Sequence, residues 1–271
     1  MDAAGIVVVG RSSLLARAFA ARHRDLVLRA IGHAEAEDDG AYAGANCVVN
    51  FAFAPGLESQ AYDRTLDIDL RIAERAARRG IHYVMVSSRR VYAREAQWNA
   101  KETAPAPGMD AYGRNKAQVE GELRALLGER LTILRPGNVV GFEPVAGRRR
   151  FGAYLQQQLV SEGRIRITVD PSTRRDLVPV EFFCDAVRVA AERRLPGVFN
   201  VGAGRATRVG DAARWLLAGY GSGELLSEAS QPLDEFQLDC TRLREAFGLA
   251  CAEGDVERAL RDIGRRLAQQ R

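Results

Sequence analysis

Short β-branched apolar runs alternate along this chain with longer stretches of helical periodicity, and that alternation restricts the fold more than any single motif does. The first run, Gly5-Ile-Val-Val-Val-Gly10, ends in glycine and leads through Ser12-Ser13 into a helical pattern carried by Leu14, Leu15, Ala18 and Phe19. Similar runs follow at residues 26–30, 47–52, 82–86, 131–134 and 198–201, with helical stretches at 58–79 and 112–127. Strands that alternate with helices form parallel β-α-β units, whose right-handed crossovers place helices on both faces of one sheet. The expected class is therefore α/β, with a doubly wound parallel sheet. After Gly141 the pattern loosens into a Gly/Arg-rich stretch, a helix over 151–161 and terminal helices over 207–218 and 253–269. At ~150 residues per domain, 271 residues make one large domain or two interlocked ones. No repeat or Pro/Ser-rich linker divides the chain, so a second lobe is expected to be interwoven with the first.

Composition excludes other classes. With 46% hydrophobic and 27% charged residues, the chain can bury a sizeable core and is neither disordered nor collagen-like. A net charge of +4 over this length is too weak to indicate a nucleic-acid partner. The four cysteines, Cys47, Cys184, Cys240 and Cys251, are far apart and have no histidine cluster nearby. Neither a metal site nor a disulfide framework is expected, and a reducing compartment fits. No apolar stretch reaches the ~18 residues of a membrane span, and the start of the chain lacks a signal-peptide pattern. The expectation is a soluble, cytoplasmic protein without a membrane partner.

In a nucleotide-binding β-α-β unit the strand-to-helix turn must be built of small residues, because a pyrophosphate approaches the helix amides closely. Here the turn reads Gly10-Arg11-Ser12-Ser13-Leu14-Leu15-Ala16, with Ser13 and Ala16 where a G-x-x-G-x-x-G pattern has its second and third glycines. An acid just past the second strand would favour an unphosphorylated ribose. That stretch, Leu28-Arg29-Ala30-Ile31-Gly32-His33, has none before Glu35. With Arg11 beside the turn, this favours NADP(H), with NAD(H) as the alternative.

Tyr112 and Lys116 lie four residues apart at the start of an expected helix, on one face and ~6 Å from each other. A neighbouring ammonium favours the phenolate, so the pair can act as a general acid/base in carbonyl–alcohol interconversion. Of 39 basic residues only Lys101 and Lys116 are lysines, and there are 7 tyrosines. A chance Y-x-x-x-K is then expected only about 0.05 times. Ser87-Ser88 follow the 82–86 run at the carboxyl edge of the expected sheet, where such folds bind ligands. A serine hydroxyl there can hydrogen-bond a carbonyl oxygen as charge develops on it.

In this order the segments resemble the extended short-chain dehydrogenase/reductase family, of the NAD-dependent epimerase/dehydratase type that modifies nucleotide sugars. Val48-Val49-Asn50-Phe51-Ala52 is similar to the family's V-V-N-x-A, and Ser87-Ser88-Arg89-Arg90-Val91-Tyr92 to S-S-x-x-V-Y. Leu134-Arg135-Pro136-Gly137-Asn138-Val139-Val140-Gly141 resembles L-R-x-x-N-V-Y-G, and 175–180 resembles R-D-Y-I-H-V. Phe199-Asn200-Val201-Gly202 looks like Y-N-V-G, and 238–243 like L-D-x-S-R-L. The resemblance covers nearly the whole chain. It implies a Rossmann NAD(P)-binding domain from 1–141 plus 176–202, and a small substrate-binding lobe from 142–175 plus 203–271. It further implies that Tyr112 donates a proton to the sugar carbonyl, that Lys116 holds the nicotinamide ribose, and that Ser88 binds the reacting oxygen. Cofactor contacts are expected from Gly10, Arg11, Ser12, Ser13, Leu14, Leu15, Arg29, Phe51, Ala52, Ser87, Tyr112, Lys116 and Pro136. Substrate contacts are expected from Ser88, Arg89, Arg90, Asn138, Arg148, Arg149 and Arg175.

Within the resemblance, dehydratases place Asp and Glu directly after the serine, where this chain has Arg89 and Arg90. Bifunctional epimerase/reductases place a cysteine at the second of those positions and use a histidine elsewhere; here position 90 is Arg, and His23, His33 and His82 fall in framework segments. What remains is hydride chemistry at one carbonyl. The length favours a reductase of a nucleotide-linked 4-ketosugar, similar to dTDP-4-dehydrorhamnose reductases, in deoxysugar or polysaccharide biosynthesis. The alternatives are a 4-epimerase that keeps its NAD bound and a non-catalytic NAD(P)-binding family member. A homodimer through the 58–79 and 112–127 helices is the family-level expectation for assembly.

Overall fold

The fold was taken from a computed structural model, which describes residues 5–143, 150–228 and 231–270. Strand β1 (Ile6–Val9) turns into α1 (Leu14–Arg22), followed by β2 (Val27–Ile31), β3 (Cys47–Asn50), α2 (Ile68–Arg78), β4 (His82–Val86) and α3 (Ala111–Leu127). Next come β5 (Leu131–Pro136), β6 (Asn138–Val140), α4 (Phe151–Glu162), β7 (Arg164–Ile167), β8 (Arg174–Arg175), β9 (Leu177–Pro179) and α5 (Val180–Arg193). The chain ends with β10 (Gly197–Val201), β11 (Thr207–Arg208), α6 (Val209–Tyr220), β12 (Glu224–Ser227), α7 (Thr241–Phe247) and α8 (Asp255–Ala268).

Six strands form one sheet in the order β10-β5-β4-β3-β1-β2, and every pair is parallel. The winding reverses between β1 and β3, so a crevice opens beyond their carboxyl ends. Alternate residues of β1 serve opposite faces, as the two-residue period of a strand requires. Ile6 and Val8 pack with Phe19, Phe183 and Val187 under α1 and α5. Val7 and Val9 pack with Ile72, Ala76, Val119 and Leu123 under α2 and α3. A third core, including Leu155, Leu159, Leu216 and Leu260, joins α4, α6 and α8. Among the described residues no helix is long and apolar enough to cross a membrane.

Three local differences from the sequence expectation have physical causes. The 47–52 run stays extended only to Asn50, because the Asn50 side chain accepts the Ala52 N–H (2.9 Å) and turns the chain. The 58–79 stretch becomes a helix only from Ile68 onward. Asp63 accepts the Thr65 N–H (2.8 Å) and holds the backbone in a short turn, and Asp67 then caps α2 by accepting the Leu70 N–H (3.1 Å), so the helix begins there. Helix α5 was not expected, and it covers one face of the sheet with α1.

Candidate active site

Gly10 makes the first turn. Its φ is +90°, and a Cβ there would lie 3.0 Å from the Ala52 nitrogen, so only glycine lets β1 meet the end of β3. Ser13 caps α1, its hydroxyl accepting the Ala16 N–H at 3.2 Å, while Arg17 N–H bonds the Ser13 carbonyl. The Leu14 and Leu15 amides at the helix mouth are left for an anion. Ala16 is buried against the sheet, a place where a small side chain suffices. The residues at this turn thus fit a pyrophosphate, although Ser13 brings a side chain where the family pattern has none. Phe51 packs its ring on Phe19 at 6.0 Å, Ala52 is buried, and buried Pro136 ends β5 at the same sheet edge.

At the neighbouring strand ends the structure gathers Ser88, Tyr112 and Lys116. Asp110 caps α3 by accepting the Gly113 N–H (2.9 Å), which places Tyr112 in the first turn. A Cβ on Gly113 would stand 1.9 Å from the Arg90 carbonyl oxygen. The loop after β4 therefore lies directly on the first turn of α3, and glycine at 113 lets the Arg90 backbone approach that turn closely. Met109 N–H and Gly108 N–H bond the Arg90 and Val91 carbonyls, clamping the same junction. The Ser88 hydroxyl accepts the Arg90 N–H at 3.2 Å, and Arg90 pairs with Asp110 with its guanidinium 5.4 Å from the Tyr112 ring centre.

Lys116 is only 2% exposed. Its ammonium donates to the Val86 carbonyl (3.0 Å) and to Asp69 Oδ2 (3.4 Å), and it lies 4.3 Å from the centre of the Phe53 ring. Asp69 also accepts from Asn50 Nδ2 (2.6 Å) and the Tyr83 hydroxyl (2.8 Å). A second buried carboxylate, Glu120, accepts from the Ser87 hydroxyl (2.6 Å), Arg135 and Arg124. Ser87 thus spends its side chain on the interior, not on the crevice. Phe53, Asp69 and Glu120 escaped the sequence reading, since an isolated Phe, Asp or Glu carries no motif; only the pairing of the strands and helices shows what each one touches.

The basic residues expected around the ligands separate. Arg29 does not reach the turn: it sits mid-strand in β2, and its guanidinium donates to the Ala43 carbonyl (2.7 Å), in the loop that enters the amino end of β3. Arg89 is 5% exposed, pairs with Asp234 (2.8 Å), donates to Gln97 (3.0 Å) and lies 3.7 Å from the Phe236 ring centre. Its charge is thus engaged by the protein, which leaves Arg90 as the guanidinium beside Tyr112. Asn138 and Arg175 come together, since Asn138 pairs with Leu177 and its N–H bonds the Asp176 carbonyl. Arg175 donates to the Leu233 carbonyl (3.3 Å), so it and Arg89 converge on the same loop. Arg148 and Arg149 lie outside the described residues. Arg11 and Ser12 are exposed at the turn, and Arg11 pairs with Glu35 at 2.6 Å. The Glu35 carboxylate also accepts the Gly32 N–H (2.8 Å), which together with the Arg11 guanidinium lowers its carboxyl from the ordinary value.

Asp176, completely buried, ties the sheet edge to the C-terminal segment by accepting the N–H groups of Ala203 (2.7 Å) and Leu238 (3.1 Å). Burial pushes its carboxyl up to about 6, against 3.8 ordinarily. The folded state therefore holds this proton more tightly than the unfolded chain. The stability contributed is complete below the unfolded value and is lost as pH rises through about 6. His82 acts oppositely, because burial lowers it to about 4 and its protonation weakens the fold as pH falls. Comparison with Asp176→Asn isolates the aspartate. In urea titrations the stability of the native chain relative to that variant should fall by up to about 3 kcal/mol between about pH 4 and pH 7; a constant difference would contradict this.

No protein-family model matches the sequence, and comparison with curated proteins gives no match. Solved structures do match. An NAD-dependent NDP-hexosamine 5,6-dehydratase involved in tunicamycin biosynthesis superposes with a TM-score of 0.81 at 19% identity, over 99% of this chain and 98% of that one. The chain shares that enzyme's fold. A UDP-N-acetylglucosamine 4-epimerase from Methanobrevibacter ruminantium M1, in complex with UDP-N-acetylmuramic acid, gives a TM-score of 0.80 at 17% identity over 100% of both chains. The UDP-glucose 4-epimerase of Thermotoga maritima, with UDP-glucose, gives 0.79 at 18% identity over 98% of this chain and 99% of that one. The extended, doubly wound parallel architecture anticipated from the strand–helix alternation is thereby established.

Proposed function

We propose that the chain is a nicotinamide-dependent oxidoreductase of a nucleotide-linked sugar, an extended short-chain dehydrogenase/reductase of the epimerase/dehydratase type that reduces a 4-keto group. The observation that carries this reading is the convergence of Ser88, Tyr112 and Lys116 at the carboxyl edge, beside a glycine turn that opens a helix toward the same crevice. A bound nicotinamide supplies the hydride to the carbonyl carbon. Tyr112 then gives its phenolic proton to the carbonyl oxygen as charge develops there, and the Ser88 hydroxyl donates a hydrogen bond to the same oxygen. Lys116 contributes an ammonium fixed in place by Val86 and Asp69. The third core, with the 231–240 segment, is assigned to the lobe that holds the sugar nucleotide, where Arg175 faces the loop at 233–234.

The Arg11–Glu35 pair alters the cofactor preference expected from sequence. A 2′-phosphate would have to compete with the Glu35 carboxylate for Arg11, whereas a free ribose hydroxyl can donate to that carboxylate. NAD(H) is therefore preferred, in keeping with the NAD named for the dehydratase.

Length does not separate reductase from epimerase, because the superposition spans 99% and 100% of two epimerase chains. The reductase is favoured by the Phe53 ring, which rests on both Tyr112 and Lys116 and suits a cofactor that comes and goes. Purified protein supplied with UDP- or dTDP-linked 4-keto-6-deoxysugars should consume NADH in proportion to alcohol formed, and NADH faster than NADPH. Interconversion of UDP-hexoses without net consumption would establish the epimerase instead. Failure of both would overturn the proposal.

A further inference from the structure

Phe53 lies just past β3 and touches both groups on which the proposed chemistry depends. Its ring meets the Tyr112 ring edge-on, with centres 5.1 Å apart and planes at 78°. Its face lies 4.3 Å from the Lys116 ammonium. An ammonium has three N–H groups, and here the Val86 carbonyl, the Asp69 carboxylate and the Phe53 ring account for three directions around it. With its side chain 3% exposed, Lys116 has no open path to a ligand while that ring is in place.

The placement is specified by neighbours. Asn50 brackets the Ala52 backbone, accepting its N–H at 2.9 Å and donating to its carbonyl at 3.3 Å, and the same side chain amide donates to Asp69. Asp69 in turn holds Lys116. The backbone that carries Phe53 and the ammonium it covers are thus anchored to one pair of buried side chains. Phe53 itself is half-buried at the crevice, so its ring can turn outward without opening the core.

Resting on the oxidoreductase reading, we infer that Phe53 gates the nicotinamide end of the cofactor site. Its ring covers Tyr112 and Lys116 and must swing away before a nicotinamide ribose can reach the ammonium. Binding of the whole dinucleotide carries the cost of breaking the cation–π and edge-to-face contacts, while binding at the Gly10 turn does not.

Calorimetry with NAD, NADH and ADP on the native chain and on Phe53→Ala tests this, with ADP as the probe that lacks the nicotinamide ribose. The variant should bind NAD and NADH about tenfold more tightly and ADP with unchanged affinity, with Phe53→Leu intermediate. Circular dichroism of each variant shows whether it is folded, and the leucine variant decides the matter if the alanine variant is not. Native protein that binds NAD, with no gain in either variant, overturns the gate alone. An equal gain for ADP also overturns it. Absence of dinucleotide binding by all three proteins overturns the gate together with the proposed function.

Discussion

Replacing Tyr112 with Phe is expected to lower kcat by roughly two to four orders of magnitude, the usual contribution of a positioned general acid, while leaving dinucleotide affinity nearly unchanged. The hydroxyl is the only group removed, and it makes no hydrogen bond among the described residues. The edge-to-face contact with Phe53 and the Arg90 contact involve the ring, which phenylalanine retains. The variant should therefore fold and melt like the native chain. Single-turnover kinetics with NADH and calorimetry on the same preparation separate the two effects: loss of turnover with binding intact is the expected pattern. Loss of both would mean that Tyr112 is structural, and an unchanged rate would remove it from the chemistry.

The second large effect is on stability. Glu120 is 1% exposed and Arg135 is 3% exposed, and they meet through two bonds, at 2.9 and 2.5 Å. Arg135 also stacks over the Tyr92 ring at 4.8 Å and donates to the Glu102 carbonyl at 3.2 Å. Arg135→Met leaves Glu120 with the Ser87 hydroxyl and with Arg124, whose side chain is 47% exposed and screened by water. Removing one partner from a buried pair costs about 3–5 kcal/mol, and the residual contact with Arg124 places this variant near the lower end. For a chain of this size that lowers Tm by roughly 6–12 °C. The double variant Arg135→Met/Glu120→Leu should recover most of the loss, because no buried charge is then left unpaired. A single variant as stable as the native chain would show that Arg124 alone satisfies Glu120. Because Glu120 also anchors Ser87, one residue before Ser88, the single variant should lose activity beyond its loss of stability.

Much of the architecture could be read from one sequence because β-branched runs and helical periodicity are local signals that tertiary packing here reinforces. The strands at 82–86 and 131–134 and the helix at 112–127 form where those signals lie. The 58–79 stretch is helical over only its second half because Asp63 holds a short turn and Asp67 caps a new helix at Ile68, side-chain bonds that periodicity does not register. Helix α5 was missed for a different reason: its first turn continues directly from β9, with no polar side-chain cap to mark the start. In the candidate site, Tyr112 and Lys116 could be singled out because they stand four residues apart on one helix face, and Ser88 because it follows a strand at the carboxyl edge of the sheet. The arginines could not, since a guanidinium can reach several partners and only the fold decides among them. Arg89 is taken by Asp234 and Arg29 by a carbonyl in the loop before the amino end of β3. Glu35, the first acid after β2, folds back onto Gly32 at the end of that strand, which its place along the chain does not reveal.

In the proposed reaction a hydride passes between a nicotinamide and a sugar carbon beside Tyr112. Its most direct test is to supply the protein with NADH deuterated at C4, on either face in separate samples, together with a UDP- or dTDP-linked 4-ketosugar, and to locate the isotope in the product by NMR. One of the two samples should place deuterium on C4 of the sugar, and the Tyr112→Phe variant should transfer it far more slowly. A sugar product free of deuterium from both samples, or no product at all, would contradict the proposed transfer.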